Sequence, residues 1–256
     1  MDTANHGLDF TKTTLAYYEA WLGASGCLSS GEGVRFMYSQ ERGTAQAGYP
    51  ERFDIIVWLD NRRAIFSYGD RVCGKIGELK ARTGDARDIA VVSSVLMEMF
   101  DCNLTHNIEF VYEGQAPASQ IEAKTLAAQD YPDYKTFFTA CYPDSETDWL
   151  KGYFDEMTQF GYCVGAYADG VIAACTDAPA MPYLPQDIQH IGITTLQEYR
   201  GRGYAAAACK QAVQNVIKSG KTPQWTCEHT NIASRKLAEG VGFVKLADML
   251  MLTLRA

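Results

Sequence analysis

The stretch LQEYRGRGYAAAACKQAVQ, residues 196–214, decides how the second half of the chain folds. The run before it, IQHIGITTL at 188–196, predicts a strand, and the alanine-rich run after the two glycines predicts a helix. A helix begins with unpaired N–H groups and a partial positive charge, so it binds phosphate where the backbone can come close. Gly201 and Gly203 lack the Cβ atoms that would block that approach. The segment therefore predicts a pyrophosphate cradle between a strand and a helix.

The residues around the glycines favour the same ligand. Arg200 and Arg202 add positive charge, and the alanines at 205–208 keep the first helical turns slim enough for a bulky ligand to lie across them. A Walker loop would need GxxxxGK[ST], which is absent, and the dinucleotide motif GxGxxG would need glycine where the chain has Ala206. RNA-binding RG tails repeat their motif, whereas this motif occurs once, between two predicted elements.

Composition and charge limit the classes of function. The chain has 256 residues, 47% of them hydrophobic and 21% charged, with a net charge of −8. These values are typical of a globular protein and disfavour nucleic acid as the main partner, because phosphate binding needs clustered Lys and Arg. The beginning of the chain has neither a basic start nor an apolar run, so we expect no signal peptide. No apolar stretch approaches the roughly 18–20 residues of a membrane helix, so we expect no membrane partner.

The eight cysteines are scattered along the chain and no two form a CxxC pair. The sequence therefore predicts neither a metal site nor a redox dithiol. Most of the cysteines lie in apolar contexts, which is typical of reduced, buried thiols, and we expect a cytoplasmic protein.

The charge is unevenly distributed. Residues 101–199 carry 15 acidic and three basic side chains, whereas residues 200–256 carry nine basic and three acidic ones. The basic segment favours an anionic ligand near the C-terminus, and the acidic segment favours a cationic acceptor. The alternative is that the surface charge is patchy without serving either ligand.

The order of predicted elements indicates an α/β (α+β) fold in two parts. Residues 1–125 predict a smaller α/β lobe whose function no motif assigns, with a helix at 9–24. The run GQAPASQIEAKTL at 114–126 combines Gly, Pro, Ala and Ser as a linker does, and it places the domain boundary. Residues 126–256 predict helices, a hairpin that turns at Asp169-Gly170, and then the strand and helix around the cradle.

Two blocks carry a resemblance to a known family. The run Arg200-Gly201-Arg202-Gly203-Tyr204-Ala205 matches [QR]-x-x-G-x-[GA], the signature of the GNAT N-acetyltransferase superfamily. The run NIASRKLAEGVGF at 231–243 resembles the N-x-x-[AS]…GF segment of the same family. The second block is also similar to the two-lobed branch that contains the zwittermicin A resistance acetyltransferases. The resemblance implies a C-terminal GNAT fold, in which a mixed central sheet with splayed strands is flanked by helices.

The resemblance also implies an acetyl-CoA site and no metal. In this superfamily the co-substrate lies between splayed strands, and its pantetheine arm pairs with one of them like an added strand. The residues implied to contact it are Ile193, Thr194, Thr195, Arg200, Gly201, Arg202, Gly203, Tyr204, Ala205, Ala206, Asn231 and Ser234. Asn231 is also suited to cap a helix, and Ser234 to be a helix-surface serine, so these alternatives stay open.

The chemistry that the resemblance implies is direct attack of a primary amine on the acetyl thioester, without an acyl-enzyme. It needs a base, a hydrogen-bond donor for the oxyanion and a proton for the leaving thiolate. A backbone N–H near Thr195 is the expected oxyanion donor. His190 is the first candidate for the base, since it titrates near neutral pH, with Glu228 and His229 as further candidates. The alternative for His190 is a hydrogen-bonded core histidine.

The general acid is less well defined by the sequence. Many GNAT relatives place a tyrosine where this chain has Ala238. Tyr204 or Tyr199 could replace it, or solvent could protonate the thiolate. The runner-up function is therefore a catalytically degenerate acyl-CoA-binding sensor or interaction module. As partners we expect a small-molecule amine acceptor, no nucleic acid, and a homodimer as one option.

Overall fold

The structure is a computed structural model that describes residues 8–45, 52–114 and 119–255. Part of the expected linker, 115–118, lies outside the described residues. The helices are α1 (Phe10–Leu22), α2 (Ile76–Thr83), α3 (Ile89–Met99), α4 (Tyr131–Cys141), α5 (Leu150–Gln159), α6 (Tyr204–Lys218) and α7 (Ile232–Val241). The strands are β1 (Gly33–Tyr38), β2 (Ile55–Leu59), β3 (Arg63–Tyr68), β4 (Cys102–Tyr112), β5 (Ala123–Thr125), β6 (Val164–Ala168), β7 (Val171–Asp177), β8 (Ile188–His190), β9 (Gly192–Thr195), β10 (Thr222–Glu228) and β11 (Phe243–Leu254).

Two sheets form the framework of the fold. The larger sheet has the strand order β1-β3-β2-β11-β4-β10-β8, and the smaller has the order β5-β6-β7-β9. β1 pairs parallel with β3 and β10 pairs parallel with β8, whereas the other described pairings are antiparallel. The expected α/β class, with a mixed central sheet flanked by helices, is confirmed.

Strand β4 comes from the first half of the chain but lies among strands of the second half. On one side it pairs with β11 along its whole length, from Cys102 beside Leu254 to Tyr112 beside Phe243. On the other side it pairs with β10. β2 then pairs with the later part of β11. The two halves thus share one sheet, and the division at residue 125 stays a prediction.

Different helices cover the two faces of the larger sheet. α1 packs on the face that includes Trp58 and Met249, across β4, β10 and β8. α6 and α7 pack on the opposite face, which includes Phe110 and Trp225. In the smaller sheet, α6 again covers one face, while α4 and α5 cover the other around Phe154. α6 therefore contacts both sheets, whereas α1 packs on the larger sheet and α4 and α5 pack on the smaller one.

The sequence of α6 explains its place between the two sheets. Its buried residues recur at helical spacing, at Ala208, Cys209, Ala212, Val213 and Val216. Small side chains at the start of this stripe let the helix approach both sheets closely, because no bulky group holds the backbones apart. The expected helix at 203–219 is confirmed to within one residue at each end.

The expectation of one continuous strand at 188–196 is wrong. β8 pairs with β10 in the larger sheet, whereas β9 pairs with β7 in the smaller one. The chain passes between the sheets at Ile191, which is buried beside α6. Isoleucines lie on both sides of the break, at 188 and 193, as well as at 191, so the β-prone composition does not reveal it, although the spacing of three between Ile188 and Ile191 interrupts the alternation.

Candidate active site

Strand β9 offers one free edge. On its paired side, Leu196 donates its N–H to Ala173 O at 3.0 Å. Alternate residues of an antiparallel strand point their N–H and C=O groups to opposite sides. The backbone groups of Ile193 and Thr195 therefore face away from β7. Because the smaller sheet ends at β9, these groups can pair with an extended ligand.

β9 and β10 diverge from a common point. β10 pairs with β8 from Thr222 to Gln224, and Ile191 donates its N–H to Gln224 O at 3.1 Å. From Gly192 to Thr195 the chain pairs with β7 instead. Among the described residues, no strand lies on this side of β10 from 225 to 228. The result is a wedge-shaped opening between the two sheets, which agrees with the predicted pair of splayed strands.

The loop between β9 and α6 presents a row of backbone N–H groups. Gly201 and Gly203 have φ of +73° and +91°, in the left-handed region that glycine adopts without strain. The first N–H that bonds back within the helix is that of Ala207, to Gly203 O at 3.1 Å. In the part of the chain that the structure describes, the six N–H groups of residues 201–206 have no acceptor. Consecutive N–H groups at a helix N-terminus are suited to bind phosphate.

Two exposed arginines flank this row of N–H groups. Arg200 Nε donates to Thr195 O at 3.3 Å, which links the loop to the free edge of β9. The guanidinium of Arg202 lies over the Tyr199 ring, 5.7 Å from its centroid. Stacking on an aromatic ring restrains a guanidinium without removing its charge. The loop therefore combines unpaired N–H groups with two positive charges.

Asn231 and Ser234 stand at the start of α7. Asn231 Oδ1 accepts the N–H of Ser234 at 3.0 Å, so Asn231 is the N-cap of this helix. Its amide nitrogen has no partner among the described residues. Ser234 Oγ accepts the indole N–H of Trp225 at 3.1 Å, so it is more than a surface serine. Capping leaves the amide of Asn231 available as a donor, and its contact with a ligand stays a prediction.

His190 lies at the point where the two sheets separate. Its imidazole is partly exposed, and Nδ1 is 2.5 Å from Gln224 Oε1. Burial lowers the pKa of His190 below its usual value, which favours the neutral ring at neutral pH. Nε2 has no partner among the described residues. The ring is thus hydrogen-bonded at Nδ1 and available at Nε2, and its role as the base stays a prediction.

The comparison with known families decides the identity of this region. The family profile described as GNAT acetyltransferase matches residues 124–248. Residues 124–248 form a GNAT acetyltransferase domain. This range contains the free edge, the opening and the N–H row described above.

Individual relatives agree with this assignment. The chain is 27% identical over 125 residues to the uncharacterized N-acetyltransferase YdfB of Bacillus subtilis (strain 168). The alignment spans 47% of this chain and 43% of that relative. The fold is similar to an acetyltransferase from the GNAT family of Colwellia psychrerythraea, with a TM-score of 0.53 at 12% identity. That comparison covers 74% of this chain and 76% of the other. Membership of the two-lobed branch stays a prediction.

The other predicted catalytic residues of the GNAT domain are spread around the opening. Glu228 is exposed at the end of β10. His229 stacks on His106, with ring centroids 4.2 Å apart, and so leans towards β4. Tyr204 is the first residue of α6, and its ring meets that of Tyr199 edge-on at 5.7 Å. Of these side chains, Tyr204 lies next to the N–H row, whereas Glu228 and His229 lie at the far end of β10.

Two side chains near β9 escaped the sequence analysis of the GNAT domain. Tyr142 follows α4, and its hydroxyl is 3.0 Å from Thr194 Oγ1. Asp177 ends β7 opposite Gly192, and burial raises its pKa to about 6. Both lie on the face of the sheet that carries α4 and α5. Tyr142 is 52 positions from Thr194 and Asp177 is 15 positions from Gly192, so no local motif predicts either contact.

Proposed function

We propose that the protein is an acetyl-CoA-dependent N-acetyltransferase that transfers the acetyl group to a primary amine of a small molecule. Transfer occurs by direct attack within a ternary complex. The observation that carries the proposal is the row of six unpartnered N–H groups at 201–206, next to the free edge of β9. A pyrophosphate fits the first feature and a pantetheine arm fits the second.

Different residues of the opening bind different parts of acetyl-CoA. The backbone groups of Ile193 and Thr195 pair with the amides of the pantetheine arm. Arg200 and Arg202 add charge attraction to the phosphates, and the Asn231 amide donates a further hydrogen bond. Because the ligand enters as an added strand, its thioester is held at the point where β9 and β10 separate.

The residues at the point of divergence supply the chemistry. His190 Nε2 accepts a proton from the acceptor ammonium, and the neutral amine then attacks the carbonyl carbon of the thioester. The outward-facing N–H of Ile193, which is nearer the point of divergence than that of Thr195, stabilises the oxyanion. The C–S bond breaks as the nitrogen passes its second proton to solvent, and the thiolate takes a proton from the Tyr204 hydroxyl, which solvent then reprotonates, or from water. Cys side chains take no part.

An aromatic cluster next to β9 supports a cationic acceptor. The Phe138 ring packs against those of Tyr142 and Trp149, with centroids 4.9 and 5.5 Å away. Tyr142 and Trp149 are 43% and 52% exposed, which is unusual for such large rings. The segment 144–148 between them carries three carboxylates. Aromatic faces and carboxylates both attract ammonium groups, so together they favour an acceptor with a positive charge.

The proposal is tested by a charge placed at the start of α6. Ala205 is the second residue of this helix and is partly exposed. In Ala205→Glu, the carboxylate stabilises the helix through its dipole but repels a pyrophosphate at the N–H row. We expect CoA affinity, measured by calorimetry, to fall by about tenfold or more, or ~1.4 kcal/mol. Ala205→Gln has nearly the same size without the charge and serves as the control. Equal affinities for the two variants would contradict the assignment of the N–H row.

The second candidate function, an acyl-CoA-binding module without catalysis, is favoured by one observation. Ala238, at the position where GNAT relatives carry a tyrosine, is fully buried in the core. The structure therefore has no general acid at that place. Incubation of acetyl-CoA with a panel of amines separates the two functions. Release of free thiol that depends on the amine supports the enzyme, whereas tight CoA binding without thiol release supports the module.

The proposed setting is the cytoplasm. All eight cysteines are free thiols, which suits a reducing compartment. Among the described residues, no helix is both long and apolar enough to span a membrane. The homodimer remains a proposal that size-exclusion chromatography with light scattering can test.

A further inference from the structure

Three consecutive hydrogen bonds connect His190 with the first half of the chain. His190 Nδ1 is 2.5 Å from Gln224 Oε1 on β10. Gln224 Nε2 donates to the hydroxyl of Tyr18 on α1 at 2.7 Å. The Tyr18 hydroxyl in turn donates to Glu109 Oε2 on β4. These hydrogen bonds therefore connect the opening of the GNAT domain with two elements outside it, α1 and β4.

The chemistry of the groups fixes the direction of these bonds. Above about pH 7 the Glu109 carboxyl group is ionised and only accepts, so the Tyr18 hydroxyl donates to Glu109 and its oxygen is left to accept from Gln224. This orients the amide with Oε1 towards His190. Since an amide oxygen only accepts, the proton of the neutral ring must be on Nδ1.

Three of the four residues are buried, and His190 is partly exposed. Tyr18 and Glu109 are each 1% exposed and Gln224 is 2% exposed. Burial raises the pKa of Tyr18, so its hydroxyl stays protonated and remains a donor. Burial also raises the pKa of Glu109, to about 7. The Thr226 hydroxyl across the ladder lowers that pKa, yet Thr226 Oγ1 and Glu109 Oε1 have no hydrogen-bond partner with suitable geometry in the described part of the chain.

Such a cluster lowers the stability of the fold. A buried carboxyl with an unpaired oxygen costs free energy that an apolar residue at the same place would not. Apolar packing surrounds the cluster, and the ring of Trp58 lies against that of Tyr18 at a centroid distance of 5.0 Å. A polar chain kept at such a site is therefore expected to act through the group at its partly exposed end, which is His190.

We infer that Tyr18 and Glu109 are positioning residues that hold His190 in the Nδ1–H tautomer and so leave the Nε2 lone pair free for the acceptor. The inference rests on the function proposed above. The acceptor ammonium gives its first proton to Nε2, the new N–C bond forms as the C–S bond breaks, and the nitrogen passes its second proton to solvent. The thiolate takes up a proton from Tyr204, which solvent then reprotonates, or from water. The imidazolium then returns its proton to solvent. In this way α1 and β4 complete the active site of a domain to which they do not belong.

The titratable groups around His190 come from three elements. Tyr18 lies on α1, Glu109 lies on β4, and Asp177 lies on β7 against Gly192, two residues after His190. Gln224 separates the ring from the first two. A change at Tyr18 therefore alters the tautomer through Gln224, without placing or removing a charge next to the ring.

The tautomer is measured directly by NMR on the full-length protein. The chain has four histidines, so the ¹⁵N-labelled ring signals are few, and His190→Gln assigns the one of interest. We expect the Nδ1–H tautomer in the wild type, whereas an unrestrained imidazole prefers Nε2–H. Tyr18→Phe frees the Gln224 amide, so the Nε2–H form should become populated. We also expect kcat to fall about tenfold, or ~1.4 kcal/mol, with an unchanged KM for acetyl-CoA.

Two further variants separate positioning from a general loss of packing. Glu109→Gln keeps an oxygen that accepts from Tyr18, so it should retain the Nδ1–H tautomer. Tyr112→Phe removes a hydroxyl from another buried tyrosine, on the opposite side of β4, and should change neither tautomer nor kcat.

The outcomes are distinguishable because the NMR readout needs no turnover. A wild-type ring protonated on Nε2, or an unaltered tautomer in Tyr18→Phe, would overturn the positioning role and leave the transferase proposal standing. The expected tautomers in a protein that acetylates no amine would instead overturn the proposed function, and with it the role of His190 as a base.

Discussion

The carboxylate of Asp177 lies against the bare Cα of Gly192. A Cβ added to Gly192 would come within 1.7 Å of Asp177 Oδ1, closer than any real contact. The two residues are opposite each other in the β7–β9 ladder, at the point where the chain enters the smaller sheet. Glycine is needed at position 192 because a larger residue would not fit, and the Asp177 carboxyl group therefore lies at the start of β9.

This contact makes Gly192→Ala a specific test of the geometry. The new methyl group must displace Asp177, and we expect the free energy of unfolding to fall by about 1–3 kcal/mol, as for other overpacked sites. In the background of Asp177→Ala the methyl group has room, so the same change should cost less than about 1 kcal/mol. Urea denaturation of the four proteins measures the coupling. Strictly additive effects would show that the two residues do not touch.

The raised pKa of Asp177 predicts a dependence of stability on pH. In the folded state burial raises this pKa from 3.8 to about 6, so the folded state holds the proton more tightly than the unfolded state does. The contribution of Asp177 to stability therefore decreases as the pH rises from about 4 to about 6, and is constant above that range. The decrease is at most about 3 kcal/mol, and smaller in so far as water reaches the group.

Asp177→Asn removes this titration. We expect the variant to be more stable than the wild type at pH 7–8, by about 1–3 kcal/mol, and equal to it near pH 4. Asp187→Asn changes an exposed carboxylate nearby and serves as the control. Unfolding curves across this pH range provide the measurement. A difference that does not vary with pH would mean that the pKa of Asp177 is not raised.

Local rules explain which parts of the site could be predicted from the sequence. Gly201 and Gly203 were identifiable because a left-handed φ and a close backbone approach both require glycine. Asn231 was identifiable as a helix cap for a similarly local reason. The fold class followed from the alternation of strand and helix patterns, and it is confirmed.

Contacts between distant parts of the chain could not be predicted in this way. Tyr18 and Gln224 are 206 positions apart, and Tyr18 and Glu109 are 91 apart. On its own, Tyr18 looks like one more apolar position of an amphipathic helix. The insertion of β4 between β10 and β11 is equally invisible, because strand patterns do not state their neighbours. The break at Ile191 is hidden because isoleucines lie on both sides of it, so the composition of one strand continues into the other.

The position of β4 predicts that the GNAT domain does not fold alone. A fragment of residues 119–256 lacks β4, so facing edges of β10 and β11 lose their partner strand. Loss of β4 also removes Phe110, so the side chain of Trp225, which packs in the same cluster, becomes exposed. We expect the fragment to be aggregated or unfolded by circular dichroism, in contrast to the full chain. A monomeric fragment that unfolds cooperatively and binds CoA would show that the division at residue 125 separates independent domains.

Direct transfer predicts that no cysteine is needed for catalysis. Cys209 is fully buried on the packed face of α6, and burial raises its pKa, so it is a poor nucleophile. Cys227, on β10, is partly buried, and burial raises its pKa as well. Cys227→Ala should keep its kcat within about twofold of the wild type, a difference of ~0.4 kcal/mol in activation free energy. An acetylated cysteine that forms and decays during turnover, seen by mass spectrometry, would contradict this mechanism.

The distribution of charge predicts how the reaction rate depends on salt. Residues 101–199 carry 15 acidic and three basic side chains, and the segment 144–148 lies between the exposed rings of Tyr142 and Trp149. Long-range attraction to such a surface raises the rate at which a cationic acceptor arrives. The screening length falls from about 10 Å at 0.1 M to about 3 Å at 1 M, so kcat/KM for the acceptor should fall as salt rises.

The assay must separate this effect from the binding of acetyl-CoA, which is itself electrostatic. Acetyl-CoA is therefore kept saturating at each ionic strength, and neutral amines of similar size are compared with cationic ones. Trp149→Ala removes an aromatic face and should raise the KM for a cationic acceptor while leaving that for acetyl-CoA unchanged. Trp149→Phe retains a ring, so its KM for the cationic acceptor should lie between those of the wild type and Trp149→Ala. If the best acceptor carries no charge beyond the reacting amine, and its kcat/KM does not change with salt, the acidic surface serves another purpose than recruiting the acceptor.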